Sequence, residues 1–346
     1  MTDNMLNFEN DYMRGACPEV MQALVRTNME QSLGYGDDSY TRSASEKIRE
    51  ACGAPEAQVY LLVGGTQVNA LAACAVLRHC QGVISADTGH INHHESGAVE
   101  ATGHKVLALP SHDGGKLDAA RVRSYLQAYW ADENYAHMVE PGMLYITHPT
   151  EQGALYSLAE LAGLSAVCRE YRIPLYLDGA RLAYALASDR NDISLKDIAA
   201  LCDMFYIGGT KCGALFGEAL VVPRPGVVGN LFSLIKQRGA LLAKGRLLGV
   251  QFDTLFTGDL YVGNARNALA AADRLAAGLE SRGYRFLAPP QTNQLFLIVD
   301  DGVVERLRPH ATFSLWEHLD GGRSVIRFVT DWATSEEDVD ALLALM

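Results

Sequence analysis

Short apolar runs alternate with longer segments of helical period along the first two-thirds of the chain. Ser157 to Tyr171 places Leu158, Leu161, Leu164 and Val167 about one turn apart, which predicts an amphipathic helix. Ile173 to Leu177 follows as an apolar strand ending at Asp178. Met204 to Ile207 is another, ending at Gly208-Gly209, and Ala219 to Val222 is a third, stopped by Pro223. Gly82 to Ser85 and Leu144 to Thr147 are further short strands. Thr66 to His79 has helical content and follows the turn Val63-Gly64-Gly65. Short strands interleaved with helices predict an α/β unit with a mostly parallel central sheet flanked by helices.

After about Phe256 the texture changes. Val262 to Arg282 is one long Ala/Leu-rich helix closed by Gly283. Strands at Gln294 to Val299 and Ser324 to Thr330, a short helix between them, and a terminal helix opened by Thr334-Ser335-Glu336-Glu337 complete a small α+β unit. The expected division is an N-terminal segment (1–25) packing near the site or on the small domain, a large domain (26–255) and a small C-terminal domain (256–346).

Composition narrows the class. The 346 residues are 49% hydrophobic and 20% charged, as expected of a soluble globular protein with a sizeable core. No run approaches the roughly 18 apolar residues of a membrane span, and the first residues, MTDNMLNFENDYMRGACP, do not read as a secretory signal. A net charge of −12 argues against a nucleic-acid binder, yet leaves room for a local basic pocket. The seven scattered cysteines form no C-x-x-C pair, which fits reduced thiols in a cytoplasmic protein.

Chemistry concentrates at two strand ends. PLYLDGAR sets Asp178 and Arg181 just after one strand, and MFYIGGTK sets Thr210 and Lys211 just after another. In open α/β sheets, ligands bind beyond the carboxyl ends of strands. An Asp, a Lys and a phosphate cradle suit pyridoxal 5′-phosphate (PLP). The lysine amine forms an imine with the cofactor aldehyde, and the carboxylate keeps the pyridine nitrogen protonated. Gly64-Gly65-Thr66 ahead of a helix offers N–H donors to a phosphate. Each element alone has an ordinary reading, as a turn, a solvated loop cation or a helix cap. Their joint occurrence in this order is what points to a site. His90, His93, His94 and Glu95 form a cluster, but H-I-N-H-H-E lacks the order of the zinc-protease helix, so no metal is expected.

The chain resembles the threonine aldolase group of the β-eliminating lyase family, within the aspartate-aminotransferase-like superfamily of fold type I PLP enzymes. The matching pieces run in family order: GYGDDSYT (Gly34 to Thr41), VGGTQVNALA (Val63 to Ala72), GHINHHESGA (Gly89 to Ala98), YITHPTEQGALY (Tyr145 to Tyr156), LYLDGARLAYAL (Leu175 to Leu186), YIGGTKCGALFGEA (Tyr206 to Ala219) and IRFVTDW (Ile326 to Trp332). DGAR followed by GGTK is the most specific combination.

The resemblance implies residue roles. Lys211 is the imine-forming lysine, Asp178 pairs with the pyridine nitrogen, and His90 stacks on the cofactor ring. Gly65 and Thr66, with help from Thr210, hold the phosphate. Arg181 and Arg327 bind the substrate carboxylate. Asn10 falls where much of the family has a serine near that carboxylate, and Arg246 matches loosely a segment reaching a neighbouring subunit's phosphate. The implied reaction is aldol cleavage of an L-β-hydroxy-α-amino acid (threonine, allo-threonine or phenylserine) to glycine and an aldehyde. His90, or a water it holds, is the first candidate base and His137 the second. The implied assembly is a homotetramer, a dimer of dimers. Other PLP reactions, β-elimination or racemisation, use the same lysine and aspartate, and a non-catalytic member of the fold is the alternative of another class. The chain departs from the common pattern with GGT before the phosphate helix, GGTKCGALFG around the lysine, AKGRLLG in place of an interface motif, and no clear match over Ala131 to Pro141.

Overall fold

Seven strands form the central sheet of the computed structural model, which describes residues 5–346. From edge to edge their order is Gln58–Leu62, Glu218–Val222, Met204–Gly208, Leu175–Asp178, Glu140–Thr147, Gln81–Ala86 and Val106–Leu109. Glu218–Val222 runs antiparallel to both its neighbours, and the other strand pairs are parallel. Leu175–Asp178, Met204–Gly208 and Glu218–Val222 are buried along their whole length, because helices cover both faces. That is why they read as unbroken apolar runs.

Local signals set several boundaries. Ser157 caps the Leu158–Tyr171 helix in a reciprocal capping box with Glu160, and Leu161, Leu164 and Val167 of that helix enter the core. Ser335 does the same for the terminal Glu336–Leu345 helix with Asp338. The sequence pattern did not reveal the Ser39–Cys52 helix, whose SYTRSASEKIREAC is largely polar, or the Ser314–Leu319 strand, whose SLWEHL shows no clean burial alternation.

A second, antiparallel sheet has the order Ser314–Leu319, Arg323–Val329, Gln294–Asp300, Arg285–Phe286. Arg327 lies on an inner strand here, opposite Phe296 on one side and Ser314 on the other. The long Leu260–Ser281 helix serves both cores. Tyr261, Ala265 and Ala268 pack with the large domain, while Ala272, Leu275 and Leu279 pack with the small one. A division at 256 therefore falls just before an element shared by the two.

The N-terminal segment also spans both units, apart from its first four residues, which lie outside the described ones. Leu6–Asn7 pairs in parallel with Ala311–Thr312, and Phe8 packs edge-on against Phe328. Asp11 and Tyr12 then reach the carboxyl ends of the large sheet's strands, and the Pro18–Thr27 helix packs against the Arg246–Leu255 helix. Among the described residues no helix is long and apolar enough to cross a membrane.

Candidate active site

The carboxyl ends of the parallel strands open onto a cavity of about 300 Å³. Asp178 ends one strand, and Lys211 follows the adjacent one. Gly179 and Gly208 let the two meet: a Cβ on Gly179 would collide with the Tyr206 carbonyl, and one on Gly208 with the Ala180 carbonyl. The glycines of DGAR and GGTK thus allow the backbone contact that brings carboxylate and amine into one pocket. Burial, with Arg181 close by, pushes the Lys211 ammonium below its usual range, against the opposing pull of Asp11 and Asp178. The shift favours the neutral amine that a nucleophile requires.

Asp178 is buried and fully engaged. Tyr145 donates its hydroxyl to Oδ2 at 2.7 Å, Asn69 donates to the same oxygen at 2.9 Å, and the Ala180 N–H donates to Oδ1 at 3.0 Å. Asn69 also donates to Glu95 Oε1 at 2.7 Å, and that oxygen meets His90 Nδ1 at 2.7 Å. One amide, held in turn by the Tyr176 hydroxyl, therefore joins Asp178 to His90. Glu95 fixes the imidazole and leaves its Nε2 free to face the cavity. Glu151 accepts from the His90 N–H at 2.9 Å and from Thr147 at 2.7 Å, and burial raises its pKa.

The Gly65–Val76 helix starts on the cavity wall, with Gly64, Gly65 and Thr66 lining it. The first N–H groups of a helix have no partner within it, so this end presents donors to an anion. A Cβ on Gly65 would come within 2.8 Å of the Tyr206 hydroxyl. Thr210 lines the same cavity, but its hydroxyl donates to Glu218 Oε1 at 2.7 Å.

A second cavity of about 390 Å³ adjoins the first and shares Tyr12, His90, Glu151, Arg181 and Lys211 with it. Its far wall belongs to the small domain: Ser314, Leu315, Trp316 and Arg327. The two arginines differ. Arg181 is held in a bidentate pair by buried Asp11, Nε to Oδ2 at 2.7 Å and Nη2 to Oδ1 at 2.9 Å. Arg327 meets neutral acceptors: Gln294 Oε1 at 3.2 Å, Ser314 Oγ at 3.0 Å and the Glu9 carbonyl at 3.3 Å, with its guanidinium over the Trp316 ring. Its buried Nε has no partner among the described residues, and burial pushes its pKa down to about 10. A buried cation in this condition calls for an anion.

Lys211, Asp178, His90, Gly65, Thr66, Thr210 and Arg181 line the first cavity, and Arg327 lines the second. Three other expected residues lie elsewhere in this chain. Asn10 accepts the Tyr12 N–H and so shapes the turn that presents Asp11 and Tyr12. Arg246 donates to the carbonyls of Asn28 and Glu30 on another face. His137 is exposed in a short turn ahead of the Glu140–Thr147 strand, whose opposite end carries Thr147 into the site. Sequence reasoning missed Asp11, Asn69, Glu95, Glu151 and Glu218. Four of them lie inside quoted motifs, Asn69 in VGGTQVNALA, Glu95 in GHINHHESGA, where it was seen only as part of a His/Glu cluster, Glu151 in YITHPTEQGALY and Glu218 in YIGGTKCGALFGEA, whereas Asp11 lies in none.

The profile of the beta-eliminating lyase family matches residues 7–302. The chain belongs to that family. Within the beta-eliminating lyases it is similar to the low specificity L-threonine aldolase of Pseudomonas aeruginosa, with 31% identity over 99% of this chain and 97% of the relative. The low specificity L-threonine aldolase of another Pseudomonas strain is 29% identical over 99% and 98%. A solved threonine aldolase from Leishmania major superposes with a TM-score of 0.94, at 42% identity over 98% of each chain. Aspartate aminotransferase from Thermus thermophilus shares the fold at 17% identity and a TM-score of 0.73. This beta-eliminating lyase thus has the aspartate-aminotransferase-like architecture.

Proposed function

We propose that this chain is a PLP-dependent L-threonine aldolase that cleaves a β-hydroxy-α-amino acid into glycine and an aldehyde. The observation that carries the reading is the meeting of Lys211, Asp178, His90 and a helix start on one cavity, joined to a second cavity that holds an unpaired arginine. The residues fit the cofactor. Lys211 supplies the amine, Asp178 a buried carboxylate for the ring nitrogen, Gly64 to Thr66 the phosphate donors, and His90 an aromatic plane whose tilt Glu95 fixes. When bound, PLP supplies an electron sink for the pair released as Cα–Cβ breaks.

The side chains then have separable tasks. Arg327, with the free Nη1 of Arg181, takes the substrate carboxylate and so sets which Cα bond faces the reactive plane. His90, directly or through a water it holds, removes the β-hydroxyl proton. Asp178, fixed in place by three donors, would pair with the ring nitrogen of bound PLP. Trp316 and Leu315 border the space for the β-substituent. A cytoplasmic homotetramer built from dimers is part of the same reading. The exposed apolar side chains of Val25, Met29, Leu33 and Phe232 are available to a subunit contact.

The test is product analysis with purified protein and PLP. L-threonine is expected to give glycine and acetaldehyde, with borohydride fixing the cofactor to Lys211. Pyruvate and ammonia would instead mean elimination. Normal turnover by Lys211→Ala would sink the assignment.

A further inference from the structure

Glu218 is a buried carboxyl group of the cofactor cavity to which the proposed chemistry gives no role. It begins the antiparallel strand, so it stands at the same sheet edge as the carboxyl ends of the parallel ones. Across the ladder it faces Leu62, two residues before Gly64, which places it beside the phosphate cradle. It is 5% exposed. Oε2 accepts the Gly209 N–H at 3.0 Å and Oε1 accepts the Thr210 hydroxyl at 2.7 Å.

Charge makes this position unusual. Four carboxyl groups line the cavity: Glu95, Glu151, Asp178 and Glu218. The lining cations are Lys211 and Arg181, and Arg181 is already neutralised by Asp11. A phosphate dianion would enter a pocket with an excess of negative charge. Hydrogen bonding adds a second constraint. A threonine hydroxyl has one proton and two acceptor sites. The Gly217 N–H already donates to Thr210 Oγ1 at 3.0 Å, and an ionised Glu218 takes the single hydroxyl proton. If Glu218 carries a proton, Oε1–H can donate to Thr210 Oγ1, and the threonine proton is released to point at a phosphate oxygen.

We propose that Glu218 is the proton acceptor that couples cofactor capture to pH: phosphate enters as Glu218 takes one proton from solvent, and Thr210 turns from the carboxylate to the phosphate. This rests on reading the cavity as a PLP site. Burial raises the Glu218 pKa to about 7, with Lys211 opposing and Asp178 reinforcing the shift. The other titratable groups facing it are Cys212, Tyr176, Tyr206 and Tyr261, all pushed further from ionisation by burial. The sign follows directly. Below about pH 7 Glu218 is already protonated and affinity is level with respect to it. Above that value, binding must draw in a proton, and affinity falls by up to about tenfold per pH unit.

The experiment measures binding of 4′-deoxypyridoxine 5′-phosphate to the cofactor-free full chain between pH 6 and 9. This probe lacks the aldehyde, so the opposite pH dependence of imine formation on Lys211 does not enter. Wild type is expected to lose affinity above about pH 7 more steeply than Glu218→Gln, whose amide mimics the protonated acid and donates to Thr210. Calorimetry of sulfate binding in buffers of differing ionisation enthalpy counts the protons directly. Sulfate does not titrate in this range, so proton uptake approaching one per site at pH 8 is uptake by the protein, and its loss in Glu218→Gln assigns it to Glu218 rather than to Lys211. Equal pH slopes in wild type and Glu218→Gln, or sulfate binding without proton uptake, would overturn the coupling while leaving the PLP reading intact. Failure of wild type to bind the probe at every pH would overturn both.

Discussion

The two halves of the site are built differently. On the large-domain side the carboxylates around the cofactor cavity are tied into a shared hydrogen-bond network, although the buried Glu95 Oε2 has no partner among the described residues. Asp178 has three donors, Asn69 bridges two carboxylates, and Glu151 has two donors of its own. On the small-domain side Arg327 leaves Nε without a partner among the described residues, and Leu315 is exposed. The difference matches what each side is proposed to hold. A resident cofactor suits a rigid, over-determined cradle. A substrate that enters and leaves needs a wall with hydrogen-bonding capacity in reserve, and part of that wall is carried by a different sheet.

The largest expected effect lies at the junction of the halves. His90 lines both cavities and is anchored by Glu95. His90→Ala is expected to lower kcat by about 10²- to 10⁴-fold if the imidazole moves the β-hydroxyl proton. Cofactor affinity measured on the same protein sharpens the division. Weaker cofactor binding with kcat reduced less than tenfold would leave His90 as a stacking plane only, and the base would have to be found elsewhere.

Next comes the strut between the halves. Burial pushes the Asp11 carboxyl up, but Arg181 and Lys211 outweigh it and hold its pKa below the ordinary carboxylate value. A depressed carboxylate adds stability that is fully present above its unfolded pKa and is lost as pH falls through the lower folded one. Asp11→Asn leaves Arg181 buried without its anion and is expected to reduce folding stability by about 3–5 kcal/mol at neutral pH. Its acid unfolding should also lack the component that Asp11 contributes. Denaturant titrations at pH 7 and in the acid range check both, and an unchanged neutral stability would show that the N-terminal segment does not tie the halves together.

Arg327→Gln tests the looser half by itself. Losing a charge-assisted hydrogen bond to the substrate carboxylate is expected to lower kcat/KM by roughly 10- to 150-fold, about 1.5–3 kcal/mol. Cofactor absorbance and affinity should not change. A loss of cofactor instead would mean that the halves are energetically one.

This asymmetry also accounts for what could be read from the chain. Asp178 and Lys211 each end an apolar strand, and the glycines that let them meet stand next to them, so local pattern was enough. The helix start at Gly64 to Thr66 was visible for the same reason. Glu218 was not, because it begins a strand. It reaches the active edge only because that strand runs antiparallel between two others, a direction that no local pattern encodes. Asp11 pairs with Arg181 across 170 positions, and its segment shows little periodicity. Arg327 was singled out by a resemblance rather than by its strand, since Ile326 and Phe328 beside it read as ordinary core. The Ser314–Leu319 strand that completes its pocket was not foreseen, because its exposure follows the cavity rather than a simple two-residue alternation.

The smallest expected effect examines the over-determined half. Tyr145 donates to Asp178 Oδ2 at 2.7 Å. Burial, with Asp178 adjacent, raises its pKa far above the usual phenol range, so it stays a neutral donor at any working pH. Tyr145→Phe keeps the ring that packs against Tyr176 and removes one hydrogen bond, which is expected to reduce stability by about 1 kcal/mol. Asn69 and the Ala180 N–H still hold the carboxylate, so kcat/KM should fall less than tenfold and cofactor should remain bound. A denaturant titration and a rate measurement on one preparation decide the matter. If Tyr145→Phe cost more in kcat/KM than Arg327→Gln, the redundancy around Asp178 would be apparent only, and the fragile half of the site would be the one on the large sheet.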